Sequence, residues 1–248
     1  MATDKALVQC PHGDTCGACA LLGRTGASQH KGKRDALWAS LDRHPALAGI
    51  EPLPCLASPL AEGYRNRAKM AVHATAGKPA RVGYFRSSSR SIVDAPDCKV
   101  LVPEILETTR QLRALFSRPA FASFPVRFVD VRCGSDPRAQ HLTLVVASPD
   151  VNVPVPAIRA ACPFVRGVSV NVNDSGGPQV IKGPVSWIWG ERHVVVETSG
   201  VRLLVSPGAF FQVNLSLLAP IHERWLGEWA SREHHSDFNS DSQVNNYS

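Results

Sequence analysis

Apolar and polar positions recur with two different periods along this 248-residue chain, and each change of period marks an element. Residues 103–116 carry Ile105, Leu106, Thr109, Leu112, Leu115 and Phe116 at helical spacing, and Pro103 stands at the first position, where its missing N–H costs nothing. Residues 29–43 place Leu37, Trp38 and Leu41 on one stripe; Ser28 is the expected N-cap, and His44-Pro45 ends that helix. Residues 215–229 form an amphipathic helix with Leu218, Ile221, Trp225 and Trp229 among its apolar positions, and a short helix is expected over 156–161.

Period-two alternation fills most of the remainder. In residues 63–72, Tyr64, Asn66, Ala68, Met70 and Val72 alternate with Arg65, Arg67, Lys69 and Ala71. Successive side chains of a strand point to opposite faces, so three cations are expected outward on one face at about 7 Å intervals, close to the spacing of successive phosphates. A turn over 78–81 leads into a returning strand over 82–86. Strands are expected over 124–133 and 141–147 as a pair, then over 165–172, 187–189, 193–197 and 201–205. Strands and helices without a strict βαβ rhythm make the class α+β, a mixed or antiparallel central sheet with helices.

Composition narrows the picture. A chain that is 44% hydrophobic can build one large core or two small ones, so its composition as a whole is not that of a disordered protein. No run approaches the roughly 20 apolar residues of a membrane span, and the first residues do not read as a signal peptide, so a cytoplasmic monomer is expected. The net charge of +6 is uneven: residues 1–99 hold 14 Lys and Arg against 8 Asp and Glu, whereas residues 100–248 hold 13 against 13. A localised basic excess points to a polyanion, most simply a nucleic acid.

The basic part also carries the chemistry. Cys10, Cys16 and Cys19 fall within ten residues, with Gly17 and Ala18 allowing a tight fold, and Cys98 is the candidate fourth ligand, returned by the hairpin over 63–86. Disulfides are the rival reading. A reducing compartment favours a metal or cluster, and the spacing leaves zinc and iron–sulfur both open. Cys55, Cys133 and Cys162 read as small apolar residues, and His12 as a bystander within the cysteine loop.

Four fragments in order carry a resemblance: Cys10-x5-Cys16-Gly-Ala-Cys19, Gly63-Tyr-Arg-Asn-Arg-Ala-Lys-Met70, Ile92-Val-Asp94 with Cys98, and Ser206-Pro-x-x-Phe210-Phe-Gln212-Val-Asn214. Together, over roughly residues 8–230, they resemble the bacterial iron–sulfur RNA uracil-C5 methyltransferases that act on 23S ribosomal RNA, in the shorter form without a TRAM barrel. Ala18 departs from the family's second glycine. The resemblance implies a 4Fe–4S cluster on Cys10, Cys16, Cys19 and Cys98. It places Gln212 against S-adenosylmethionine and Phe210 near an extruded uracil. Charge and period add Arg65, Arg67 and Lys69 as contacts to RNA phosphates.

The implied layout is a cysteine loop over 1–27, a helix and Pro-rich connector over 28–60, and a central RNA-contacting domain over 61–205. The opening of a methyltransferase domain over 206–230 and a disordered polar tail over 231–248 follow. The family's Gly-rich donor loop, Asn/Asp-Pro-Pro-Arg segment and nucleophilic cysteine have no counterpart in the sequence, so an architecture cut short, and an inactive chain, are expected. Two rival readings are a non-enzymatic RNA-binding module stapled by a cluster or zinc, and an electron-transfer protein.

Overall fold

The computed structural model describes residues 7–176 and 179–233, with side chains to 227. Its main sheet is built from β1 (Arg67–Thr75), β2 (Lys78–Phe85), β3 (Ile92–Asp94), β4 (Val126–Cys133), β5 (Gln140–Val146), β6 (Val165–Val172) and β7 (Ser186–Gly190), in the order β3-β2-β1-β4-β5-β6-β7. All neighbours are antiparallel except β5 and β6. That one parallel pair needs a crossover, and the chain supplies it with the helix that precedes β6. The remaining elements are helices α1 (Gly26–Leu41), α2 (Pro103–Phe116), α3 (Val155–Ala161) and α4 (Leu218–Glu233), and a separate hairpin of β8 (Val194–Thr198) and β9 (Val201–Val205). Among the described residues no helix is long and apolar enough to cross a membrane.

One face of the sheet is the core. Met70, Val129, Val131, Leu142, Leu144 and Val168 are fully buried beneath Ile105, Leu112 and Leu115 of α2 and Ile158 of α3. Phe116 stacks on Phe124 and meets Phe121 edge-on. Each such side chain contributes about 1.5–3 kcal/mol when buried, so this layer holds the two helices in place. By contrast α1 buries none of its residues: the expected stripe stays open at Leu37 and Trp38, and its cap is Thr25, whose hydroxyl accepts from the Ser28 amide. The expected turn over 78–81 is instead a two-residue turn at 76–77, with Gly77 at φ +73° and β2 already under way at Lys78. The last helix opens with a 3-10 turn at Leu215–Leu217 and runs through residues 231–233 of the expected tail; residues 234–248 lie outside the described residues.

The opposite face is polar. Cross-strand register aligns Lys69, Asp130, Thr143 and Ser169 in one row and Arg67, Arg132, His141 and Gly167 in the next. Most of these groups are buried, because the segments before and after the β8–β9 hairpin cover them. Asn171 donates to the Lys182 and Pro184 carbonyls at 2.8 Å each, and the arginines reach the Ser206 and Ala209 carbonyls. Buried polar groups need such partners, and here the backbone provides them.

His141 belongs to this layer. Its Nδ1 lies 3.0 Å from the Glu191 carbonyl, which only accepts, so Nδ1 carries the proton and Nε2 accepts from the Ser169 hydroxyl at 2.9 Å. Burial pushes its pKa down to about 4, with the Glu191 hydrogen bond opposing the shift. A histidine lowered in the folded state stays neutral there while the unfolded chain takes up a proton. Its contribution is therefore complete above about pH 6.5 and is lost as the pH falls from there towards about 4. The loss is expected to approach 3 kcal/mol, on the order of 1.4 kcal/mol per pKa unit. Urea unfolding midpoints measured across that window should flatten in His141→Gln; an unchanged slope would contradict the assignment.

Candidate functional site

The cysteine loop is held on the end of β2. Cys16 forms a bridge with Arg86, and the Gly17 amide donates to the Phe85 carbonyl at 3.0 Å. A Cβ at Gly17 would stand 3.0 Å from the Phe85 carbonyl oxygen and from the Ser87 nitrogen, so a side chain there would press the loop away from the strand end. The strand then returns as β3 and delivers Cys98. Asp94, at the end of β3, accepts from the Val82 amide at 3.0 Å and from Arg113 of α2 at 2.7 Å, which fixes where the following segment starts.

All four predicted cysteines line one small cavity, with Val8, Leu22, Ala95, Val100 and Tyr84 among its other walls. Each is a free thiol. Burial is the leading cause that raises the Cys19 and Cys98 thiols, and their neighbouring cysteines add to it. Burial raises Tyr84 as well, and Cys98, Cys16 and Cys19 push in the same direction. No three His, Cys, Asp or Glu side chains among the described residues converge closely enough to hold a single metal ion. His12, expected to be idle, lines the cavity, and its Nε2 lies 2.5 Å from a carboxylate oxygen of Asp97, which ties the first cysteine loop to the residue before Cys98. The available signal was the adjacency of His12 to Cys10 and of Asp97 to Cys98 in the two ligand-bearing segments.

A short extended segment joins this cavity to the second predicted region. The Gly63 amide donates to the Lys99 carbonyl at 2.8 Å, Arg65 to Val100 at 2.8 Å, and Val102 returns a bond to Arg65 at 3.0 Å. On its other side the Asn66 amide donates to the Val213 carbonyl at 3.0 Å, and Arg65 bridges Asn214. Residues directly after Cys98 and directly after Gln212 thus flank the same strip of backbone. Gln212 is exposed, and Phe210 is 84% exposed. The Arg65 guanidinium lies in electrostatic reach of Cys19, Tyr64 and Tyr84, on the cysteine side, and its Nε is buried without a hydrogen-bond partner among the described residues.

The three cations expected outward on one strand face do not share a role. Arg67 is buried: Nε and Nη2 grip both carboxylate oxygens of Asp130 at 2.8 and 2.5 Å, and Nη1 donates to the Ala209 carbonyl at 3.1 Å. Arg132 donates to the same carbonyl at 2.6 Å and to Ser206 at 3.3 Å. Burial, then repulsion from Arg67, lowers Arg132 to about 10 against the pull of Asp130. Lys69 alone keeps an exposed position on β1, with its pKa lowered first by partial burial and next by Arg67. The arrangement is a carboxylate between two guanidiniums that pin the turn carrying Phe210, with a lysine beside them open to an anionic ligand.

Cys133 and Cys162 are unsuited to nucleophilic attack. They are buried in the main core, and burial pushes both up to about 12. Cys55 is exposed on the connector, its sulfur 3.8 Å from the His30 carbonyl.

No protein-family model matches the chain. An uncharacterized RNA methyltransferase of Geobacter sulfurreducens is 27% identical over 233 residues, which cover 90% of this chain and 46% of that protein. The 23S rRNA (uracil(1939)-C(5))-methyltransferase RlmD of Cronobacter sakazakii is 28% identical over 230 residues, 91% of this chain and 48% of that one. Among solved structures, the tRNA (uracil-54, C5)-methyltransferase of Pyrococcus abyssi, in complex with S-adenosyl-L-homocysteine, superposes with a TM-score of 0.63 at 22% identity, covering 86% of this chain and 50% of that one. The chain therefore shares the fold of that half, and it spans about half the length of the curated relatives it matches.

Proposed function

We propose that this chain is the RNA-recognising half of an S-adenosylmethionine-dependent RNA uracil-C5 methyltransferase, with 23S ribosomal RNA as the substrate class and the cytoplasm as its place. The observation that carries the reading is the strip at Gly63–Asn66, which is hydrogen-bonded to the residues after Cys98 on one side and to those after Gln212 on the other. It makes one framework of the cysteine cavity and the turn that presents Phe210.

The donor set fits a 4Fe–4S cluster better than zinc. Zinc draws four donors to roughly 2.3 Å of one ion, whereas each thiolate of a four-iron cluster binds a different iron, so the sulfurs stand further apart around a larger centre. Four thiols around one cavity, three from the loop and one from the segment after β3, support the second case. Arg65, beside Cys19 with an unpartnered buried Nε, is suited to offset the charge of an anionic centre. Its assignment to RNA phosphates gives way to that role. Cys10, Cys16, Cys19 and Cys98 would hold the cluster, which when bound would set the shape of the loop.

The chain's own residues then divide the work. Lys69 meets a phosphate. Arg67 and Arg132 hold the Ser206–Ala209 turn so that Phe210 projects towards an extruded uracil, and Gln212 faces the methyl donor. Uracil methylation by this chemistry also needs a thiolate to add at C6 and a base to take the C5 proton. With Cys133 and Cys162 buried and protonated, four cysteines lining the cavity and Cys55 outside it on the connector, the 248 residues are expected to bind RNA without methylating it. Tritiated-methyl transfer to unmodified 23S rRNA is expected to stay at background while the RNA is bound with steep salt dependence; turnover would contradict the first point, and the absence of RNA binding would overturn the reading. A non-enzymatic RNA-binding module would share this interface and leave Gln212 idle. Binding of S-adenosylhomocysteine that weakens in Gln212→Ala separates the two.

A further inference from the structure

The far edge of the sheet carries a second basic feature that none of the predicted residues touches. Strand β7 closes the sheet, and among the described residues no strand pairs with its outer edge. It turns one indole to each face. Trp187 shares a row with Ser169 on the polar face, and Trp189 pairs with Val168 on the helical face. Each indole carries an arginine: the Arg192 guanidinium stands 4.7 Å from the Trp187 ring and that of Arg159, on α3, stands 4.5 Å from Trp189. Beside the second pair an open cleft of about 430 Å³ is lined by Pro156, Arg159, Pro163, Arg166 and Trp189.

The local construction keeps this cleft basic and in place. Arg166 is the extra residue where the β5–β6 register shifts between Val165 and Gly167, and such a bulge re-aims a side chain. Its backbone is clamped: the Glu191 amide donates to the Arg166 carbonyl at 2.9 Å, and a Cβ on Gly190, at φ +75°, would meet that oxygen at 2.0 Å. Residues 155–167 hold no Asp or Glu, and residues 185–193 hold Glu191 alone. None of the ion pairs among the described residues uses Arg159, Arg166 or Arg192. Trp189 also packs on the main core, so its ring is a fixed platform beneath the guanidinium of Arg159.

We infer that this cleft is a second RNA-binding site, for a single-stranded segment, in which a base stacks on the Arg159 guanidinium backed by Trp189 and Arg166 takes the neighbouring phosphate. Unpaired bases stack on arginine planes and aromatic rings, and cations beside them supply the sequence-independent attraction. The inference rests on the RNA reading above and extends it. Strand β7 lies four strands from β1, roughly 19 Å at about 4.8 Å per strand, which a few extended nucleotides span. Lys69 belongs to the polar face and the cleft to the helical face, so an RNA held at both passes around the β7 edge.

The test is binding of a short oligouridylate to the full chain by fluorescence anisotropy over a salt series. Arg159→Glu with Arg166→Glu is expected to weaken binding about tenfold or more and to lower the salt slope by about 0.7, for the one phosphate contact assigned to Arg166. Trp189→Leu, which keeps an apolar side chain against the core, is expected to weaken binding about fivefold or more. Charge reversal at Arg34 and Arg43 on and beside α1 should leave both quantities unchanged. Wild-type affinity in the double variant overturns this site while leaving the RNA reading intact. Failure of the wild-type chain to bind any RNA overturns both. Competition by polyglutamate as strong as by RNA would assign the cleft to an acidic protein and overturn the site as stated.

Discussion

Asp130→Ala is expected to destabilise the protein by about 3–5 kcal/mol, the cost of leaving a buried charge without its partner. The carboxylate is 3% exposed, grips the buried Arg67 through both oxygens, and faces Lys69 across the β1–β4 pair. Its removal leaves Arg67, Arg132 and Lys69 adjacent in a layer covered by backbone, and the two guanidiniums also hold the Ala209 carbonyl. An exposed ion pair would be worth at most about 1 kcal/mol, so the two cases separate cleanly in a urea titration. A loss no larger than that would mean that the Arg67–Asp130 grip is a surface pair. Asp130→Asn, which keeps the shape and one acceptor, should fall between alanine and wild type.

Cys98→Ser is expected to abolish incorporation of the iron–sulfur centre, while Cys55→Ser, outside the cavity, should leave it intact. A serine oxygen replaces one of four thiolates, and the remaining three sit on a separate loop. The effect should reach further than the cavity. Lys99, Val100 and Val102 bond to the strip at Gly63 and Arg65, and that strip bonds to Val213. Amide hydrogens at Gly63, Arg65 and Asn66 should therefore exchange faster in the variant, the signature of a locally loosened unit. A Cys98→Ser protein with the visible absorption of wild type would contradict four-thiolate ligation.

How far the sequence reached differs from place to place for physical reasons. Helix α2 and strands β6 and β9 fall where periodicity puts them, and α2 buries the apolar face that its pattern marks. The stripe on α1 misled, because periodicity says that a face is apolar and says nothing of what packs on it; Leu37 and Trp38 remain open. The same limit governs Arg67. Alternation correctly separated its face from that of Ala68 and Met70, but Asp130 lies 63 residues away on the partner strand, and only the register of β1 against β4 brings the two together. That the four cysteines line one cavity follows from three being local and the fourth following a recognisable hairpin. The His12–Asp97 contact was not, since it exists only once those two segments have closed on each other. The Arg159–Trp189 pair joins a helix to an edge strand across a crossover and carries no local pattern at all.

The division of labour between the cysteines and the arginines reframes the basic excess of the first 99 residues. Part of it is internal: Arg67 is spent on Asp130 and Arg65 lies towards the cysteine cavity. The outward share includes Lys69 and the exposed cations of α1 and of the hairpin, among them Lys33, Arg34, Lys78 and Arg81. On the proposed reading, RNA would meet two separated contacts, one beside the turn that carries Phe210 and one at the far edge of the sheet.

Most directly, the account stands on the iron, acid-labile sulfide and zinc content of the wild-type chain purified without oxygen. It predicts about four iron and four sulfide per chain with a brown colour, as four-thiolate cluster ligation requires. Colourless protein holding one zinc, or holding no metal with all four cavity thiols free to react, would contradict it.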